Sequence, residues 1–120
     1  MRTHKDLVLW QKSVIFVTNI YDVTTKFPKS EIYGITNQMR RAAVSIPSNI
    51  AEGSGRRSQK ELIQFLHIAL GSMAELETQL IISLNLSFIT PDSYRNLSDE
   101  LSELSKMTIS LIRSLSKEKF

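Results

Sequence analysis

The residue types that bind phosphate are concentrated in residues 53–60, which read GSGRRSQK. This segment directly precedes a run with helical apolar spacing, so it leads into the start of a helix. Free N–H groups and the helix dipole favour anions there, and Arg56, Arg57 and Lys60 add positive charge at the same place. The segment therefore predicts a binding site for backbone phosphates. The alternative interpretation is that the glycines end a helix and the arginines only solvate a turn.

The charge distribution supports a basic surface in the first half of the chain. The net charge is only +3, but residues 1–60 carry ten Lys/Arg against four Asp/Glu, and residues 61–120 carry five against eight. A basic half attracts nucleic-acid backbones or acidic proteins, so both remain possible partners. Arg41 and Lys12 are weaker candidates for the same surface. No sequence-reading motif is present, which argues against base-specific recognition.

The residues needed for catalysis or metal binding do not form a convincing set. There is no cysteine, and the two histidines, His4 and His67, fall near the chain start and on a polar helix stripe. Both are expected to face solvent rather than a metal. The serines lack an evident general base, and the Gly-Ser-Gly stretch lacks the spacing of a phosphate-binding P-loop. The sequence therefore predicts a protein that is not an enzyme and has no cofactor.

The elements that position the basic segment are predicted to be helices. The chain has 120 residues, with 42% hydrophobic residues, four Gly and three Pro, which fits one helical domain, residues 1–120. Apolar spacings of three and four predict helices over 6–27, 36–53, 59–86 and 91–116. Short links between them predict an all-α, up-down-up-down four-helix bundle. Apolar runs are far shorter than the about 20 residues of a membrane span, so we expect a soluble, cytoplasmic protein.

The predicted second helix contains a proline, Pro47. It removes one backbone hydrogen bond and crowds the carbonyl four residues earlier, so we expect a kink there. Neighbouring Ser and Asn side chains could satisfy the disturbed backbone groups. Thr36 is the expected N-cap. Arg40 shares a stripe with apolar residues, so we expect it to be partly buried and paired with Glu52 or with an acid on another helix.

The ends of the link between the second and third helices are also predicted. Gly53 and Gly55 are expected to end the second helix by taking the left-handed conformation. Ser58 and Glu61 match a capping box at the start of the third helix. Further along the chain, Thr90 before Pro91 predicts the N-cap of the fourth helix.

The apolar pattern exceeds what one bundle needs. The first helix has two apolar stripes, one of them through Trp10, Val14, Val17 and Tyr21, and the third helix has an unusually wide apolar face. A helix that is apolar on two sides is covered on two sides. We therefore expect homo-oligomerisation, in which these faces pack between subunits.

Several segments carry a family resemblance, and the most specific is QMRRAAVSIPSNIAEG at residues 38–53. The others are LWQK (9–12), FP (27–28), RS (57–58), IALGS (68–72) and ELE (75–77). Together they resemble the bacterial four-helix-bundle proteins encoded by intervening sequences inside 23S ribosomal RNA genes. The similarity covers roughly residues 7–89, and the last helix matches only in general character.

The resemblance implies features that spacing alone does not give. Members of this family form homopentamers around a central axis and have no established enzymatic activity. The accessory subunit of diversity-generating retroelements is similar in fold and assembly, and its basic surface engages nucleic acid and a reverse transcriptase. The resemblance thus implies a pentamer whose partner is RNA, another nucleic acid or a nucleic-acid-associated protein.

Overall fold

Four long α-helices make up most of the computed structural model, which describes residues 3–117. They are α1 (Val8–Thr24), α2 (Ile35–Ser54), α3 (Gln59–Asn85) and α4 (Pro91–Lys117), with single 3-10 turns at His4–Asp6 and Lys29–Glu31. No strand occurs within the described range. The predicted all-α, four-helix class is confirmed. The largest difference is in α1, which is shorter at both ends than the predicted range. A 3-10 turn and extended Leu7 precede it, and after Thr24 the Lys26 and Phe27 N–H groups bond three residues back instead of four.

The helices pack in chain order around one core. Each helix contacts the next one along the chain, and α4 also packs against α1. The α1–α4 and α2–α3 grooves are therefore on opposite sides of the bundle. The link between α2 and α3 (residues 55–58) lies at one end, called the link end below. The Lys29–Glu31 turn lies at the other, called the turn end.

The core consists of the predicted apolar seams of α2, α3 and α4. The buried members are Met39, Ala43, Ile46 and Ile50 of α2, Leu66, Ala69, Met73, Leu76 and Leu80 of α3, and Leu97, Leu101 and Leu104 of α4. In α1 the buried side is formed by Leu9, Phe16 and Ile20, whereas Val14 and Tyr21 of the other stripe are 37% and 41% exposed. This second stripe is therefore only partly covered, because Trp10 and Val17 pack in part against the core while Val14 and Tyr21 are exposed.

Two methionine sulfurs lie inside this core, each next to a serine. Ser83 Oγ donates to Met39 Sδ at 3.5 Å, and Ser105 Oγ donates to Met73 Sδ at 3.4 Å. Both methionines are almost completely buried. Sulfur is a weak acceptor, so these contacts give the two serine hydroxyls a partner inside an otherwise apolar region.

The start of α2 differs from the prediction. Gly34 is the N-cap residue, and Thr36 is already inside the helix and only 2% exposed. Glu31 Oε1 accepts from the Ile35 N–H at 3.4 Å, so a carboxylate from the preceding 3-10 turn takes the capping role. The prediction of Thr36 as N-cap was wrong because that turn brings the chain into the helix earlier. The Thr36 hydroxyl has no hydrogen-bond partner among the described residues.

Pro47 lies within α2, which continues on both sides of it. Proline has no N–H, so the Ala43 carbonyl cannot receive its usual helical bond from this position. Asn49 Nδ2 donates to the Ser45 carbonyl at 2.8 Å and to Ser45 Oγ at 2.9 Å. Both bonds end on Ser45 and not on the Ala43 carbonyl. The side-chain compensation of the disturbed carbonyl and the kink both stay predictions.

Gly53 does not end α2, and neither Gly53 nor Gly55 takes the left-handed conformation, so that prediction was wrong. The helix continues to Ser54, and Gly55 caps it with φ −85°. Gly53 is buried against α3, where a Cβ atom would lie 2.8 Å from Phe65 Cβ and 3.0 Å from Leu62 Cδ1. Its role is to let α2 and α3 approach closely at the link end.

Ser87, just after α3, takes the left-handed conformation, with φ 61°. Its N–H bonds to the Leu84 carbonyl at 3.0 Å, and the Phe88 N–H bonds to the Ser83 carbonyl at 2.9 Å. This pair of bonds is the Schellman helix ending, in which glycine usually takes the left-handed position. The next helix starts as predicted, because Thr90 Oγ1 accepts from the Ser93 N–H at 3.1 Å.

Candidate nucleic-acid interface

The start of α3 places two free cations beside a helix N-terminus. Ser58 is the N-cap, as predicted, and its Oγ accepts from the Glu61 N–H at 3.1 Å. Arg57 and Lys60 on either side are exposed, and neither has an ion-pair partner among residues 3–117. Their positive charge is therefore directed to solvent, next to the positive end of the α3 dipole.

Arg56 is held more firmly than its neighbours. Its NH2 group contacts Glu52 Oε2 at 2.7 Å, and its guanidinium lies 5.0 Å from the centre of the Phe65 ring. The ion pair is partly exposed, so it contributes at most about 1 kcal/mol to stability. Its main effects are to fix the direction of Arg56 and to offset part of its charge. Phe65 was not predicted as part of this site. The sequence feature that could have indicated it is an apolar residue one helical turn after Glu61.

Arg41 lies on α2, 15 residues before Arg56, which corresponds to about 22 Å along the helix. It is exposed and lines a shallow cavity of about 260 Å³ in the α2–α3 groove, together with Ser45, Ser72 and Glu75. Ser72 Oγ and Ser45 Oγ are hydrogen-bonded there at 2.9 Å. The Glu75 carboxylate in the same lining makes this cavity less favourable for phosphate than the link.

Lys12 lies on the opposite side of the bundle, in the α1–α4 groove. Its Nζ contacts Glu103 Oε2 at 3.1 Å. Further along the same groove, Asn19 Nδ2 donates to both carboxylate oxygens of Glu100. The fold therefore brings together Arg56, Arg57 and Lys60 and leaves Arg41 and Lys12 apart from them.

The prediction that Arg40 pairs with an acid was wrong, although its partial burial is confirmed. Arg40 Nε donates to Thr24 Oγ1 at 3.0 Å, and its guanidinium lies 4.5 Å from the centre of the Tyr21 ring. Glu52, the expected partner, pairs with Arg56 instead. Both contacts of Arg40 are on α1, and which α1 residues face α2 could not be predicted from the α2 stripe alone.

The part of the chain that the structure describes shows no candidate metal site. Residues 3–117 contain no group of three or more His, Cys, Asp or Glu side chains close enough to hold a metal ion. His67 is exposed, and the His4 ring packs at an angle against Trp10, with 5.0 Å between ring centres. None of the described helices is long and apolar enough to cross a membrane.

These features define a small helical bundle protein with a basic link between two of its helices. The model of the family described as 23S rRNA-intervening sequence protein matches residues 5–110. The chain therefore belongs to the 23S rRNA-intervening sequence protein family, as the motif at residues 38–53 predicted.

A solved structure shows the same fold. It is the crystal structure of a protein of unknown function from the S23 ribosomal protein family of Bacteroides thetaiotaomicron VPI-5482. The two chains are 27% identical, and their superposition has a TM-score of 0.82 over 88% of this chain and 96% of the other. No curated protein matches the sequence.

Proposed function

We propose that this protein is a non-catalytic, homo-oligomeric helical bundle that binds RNA through its backbone phosphates. The observation that carries the proposal is a pair of exposed cations at the capped start of α3, Arg57 and Lys60, which have no ion-pair partner among residues 3–117. Arg56 is fixed beside them by Glu52 and Phe65. Contacts of this kind are sequence-independent, because phosphates carry no base information.

Oligomerisation is supported by a strip of apolar residues on the outside of the α1–α2 groove. This outer strip consists of Val14, Val17 and Tyr21 of α1 with Val44 and Pro47 of α2. Val14, Tyr21 and Val44 are each about 40% exposed, and Arg40 over the Tyr21 ring shows that the two helices meet here. A subunit packed on the strip would remove this surface from water, with a gain of about 25 cal/mol per Å².

Assembly would also strengthen RNA binding. One link offers two free cations, which is a weak phosphate site. A ring, such as the pentamer that the family resemblance implies, would present the same link once per subunit around an axis. Linked weak sites gain affinity through effective concentration, so the oligomer can bind an RNA that a single subunit would release.

The test is the binding of fluorescently labelled single-stranded and structured RNA across a salt series. The variant Arg56→Ala/Arg57→Ala/Lys60→Ala is expected to lower affinity and to flatten the slope of log K against log salt by about two to three units. The matched control is Lys26→Ala/Lys29→Ala/Arg95→Ala. It also removes one ion-paired and two unpaired cations, at the turn end, and should leave the slope unchanged. Equal losses in both variants would refute a site at the link.

The second candidate function is an oligomeric adaptor that docks an acidic protein partner and binds no nucleic acid. The outer strip favours it, because protein interfaces combine an apolar centre with a polar rim. Such a complex should weaken much less with salt than phosphate binding does. If the wild-type oligomer binds no RNA at low salt, the nucleic-acid proposal fails and the adaptor becomes the better account.

A further inference from the structure

A cleft at the turn end of the bundle has a composition that the proposed RNA binding does not explain. It lies between the end of α1, the Lys29–Glu31 turn and the first turns of α2, and its volume is about 510 Å³. This volume falls within the usual range for small-molecule sites. Arg40 is in this cleft, about 24 Å along α2 from Arg56, so the cleft is separate from the link.

One wall of the cleft is apolar. It is formed by Phe27, Pro28 and Ile32. Phe27 is buried and packs at an angle against Phe88, with 5.7 Å between ring centres, which fixes its position. Ile32 is 46% exposed. A wall of this kind suits the hydrocarbon part of a ligand and offers little to a fully hydrated ion.

The guanidinium of Arg40 is oriented in the cleft but not neutralised. Its Nε donates to Thr24 Oγ1 at 3.0 Å, and its NH2 lies 3.4 Å from Thr25 Oγ1 and 3.5 Å from the Tyr21 carbonyl. All three acceptors are uncharged. The described residues place no carboxylate within 4.0 Å of Arg40, and its NH1 group makes no hydrogen bond to them. A guanidinium held in this way can still bind a carboxylate with its planar edge.

Two further groups in the same lining lack a partner among the residues that the structure describes. Lys29 forms no ion pair within residues 3–117. The Thr36 hydroxyl is buried without a hydrogen bond, and it is one of two buried side-chain atoms in the described structure with this property. Buried polar groups nearly always have a partner. Two cations and a hydroxyl next to one apolar wall are therefore complementary to an acidic group on an apolar body.

We infer that this cleft binds a small organic carboxylate with an aromatic or aliphatic body. The carboxylate would pair with Arg40 and Lys29, and the body would cover Phe27, Pro28 and Ile32. The hydroxyl of Thr36 can donate to a carboxylate oxygen. The inference does not depend on RNA binding, because none of these residues belongs to the link.

The test uses 2-naphthoate as the probe and 2-naphthamide as its uncharged counterpart of the same shape. Binding is followed by NMR, through the Arg40 Nε–Hε signal and the Ile32 methyl signals of the full chain. Naphthoate is expected to shift both sets of signals saturably, with an affinity at least ten times that of the amide. Equal affinity for the two compounds, no saturable shift, or an equal response to inorganic phosphate would each overturn the inference.

Variants locate the site. Arg40→Lys should weaken naphthoate binding about ten-fold or more, because an ammonium cannot replace the planar fork of a guanidinium. Lys29 is exposed, so Lys29→Gln serves as a second variant in case Arg40 is needed for folding. It should weaken naphthoate binding several-fold. The control Arg57→Gln removes the same charge at the link end and should leave naphthoate affinity unchanged. Unchanged binding in Lys29→Gln and Arg40→Lys, or equal weakening in Arg57→Gln, would refute the site.

Discussion

At the scale of single residues, the space around a position decides how a substitution changes stability, and two glycines show this. A Cβ on Gly53 would lie 2.8 Å from Phe65 Cβ, whereas a Cβ on Gly71 would have nothing within 4 Å. Phe65 Cβ is attached to the α3 backbone, so it cannot move away alone. The same substitution should therefore have opposite effects at the two positions.

We expect Gly53→Ala to lower the free energy of unfolding by about 1–3 kcal/mol through overpacking, despite the better helix propensity of alanine. Gly71→Ala should raise it by up to about 1 kcal/mol, because only the propensity changes. Urea denaturation at one fixed protein concentration measures both. Stabilisation by Gly53→Ala would show that α2 and α3 are not in the close contact described.

Thr36 and Thr108 form a second matched pair at this scale. Both are buried, but Thr108 Oγ1 donates to the Leu104 carbonyl at 2.7 Å and Thr36 Oγ1 has no partner among residues 3–117. Thr36→Val should raise the free energy of unfolding by about 1 kcal/mol, and Thr108→Val should lower it by about 1 kcal/mol. Thermal denaturation checks both. A loss of stability in Thr36→Val equal to that in Thr108→Val would mean that the Thr36 hydroxyl is satisfied in solution.

At the scale of elements, the end of α3 carries local strain. Ser87 has φ 61°, a conformation that costs a residue with a Cβ about 1 kcal/mol or more. Ser87→Gly should therefore raise the free energy of unfolding by about 0.5–1 kcal/mol, after allowing for the greater freedom of glycine in the unfolded chain. Ser87→Ala keeps the Cβ and should change stability little. If the glycine variant is no more stable than the alanine variant, the left-handed conformation at this position is not maintained in solution.

The elements themselves were the most predictable part of the molecule. The seams of α2, α3 and α4 follow from spacings of three and four, because burial of one helix face imposes that period. The start of α2 was not predictable, because Glu31 caps it from a 3-10 turn that has no apolar period. The orientation of α1 was also missed: both of its stripes are apolar, and only packing against α2 and α4 decides which one is buried.

The candidate site also has a part that the sequence predicted and a part that depends on how the helices pack. The cluster of Arg56, Arg57 and Lys60 is contiguous in sequence, so its proximity in space was predictable. Lys12 lies apart from this cluster because it is in the groove between α1 and α4. That groove depends on how all four helices pack, which the local sequence does not show. The partners of Arg40 come from a different helix for the same reason.

At the scale of the whole molecule, the main prediction concerns self-association. Val44 in the outer strip is 41% exposed. Val44→Glu should reduce the mass measured by light scattering at micromolar concentration towards that of a monomer, because a charge would be buried in the interface. Gln64→Glu introduces the same charge at an exposed polar position of α3 and should keep the wild-type mass. A wild-type monomer under these conditions would contradict the proposed assembly.

Oxidation of the two core methionines that contact serines would report how often the helices of the bundle separate. Hydrogen peroxide adds oxygen to methionine sulfur, and the sequence has no cysteine to compete for it. Met107 is only partly buried, whereas Met39 and Met73 are almost completely buried in the core. Met107 should therefore oxidise readily in the folded protein, and the other two should oxidise only as fast as the helices separate. Each sulfoxide formed would then hinder closure, so oxidation would convert transient opening into permanent loss of the fold.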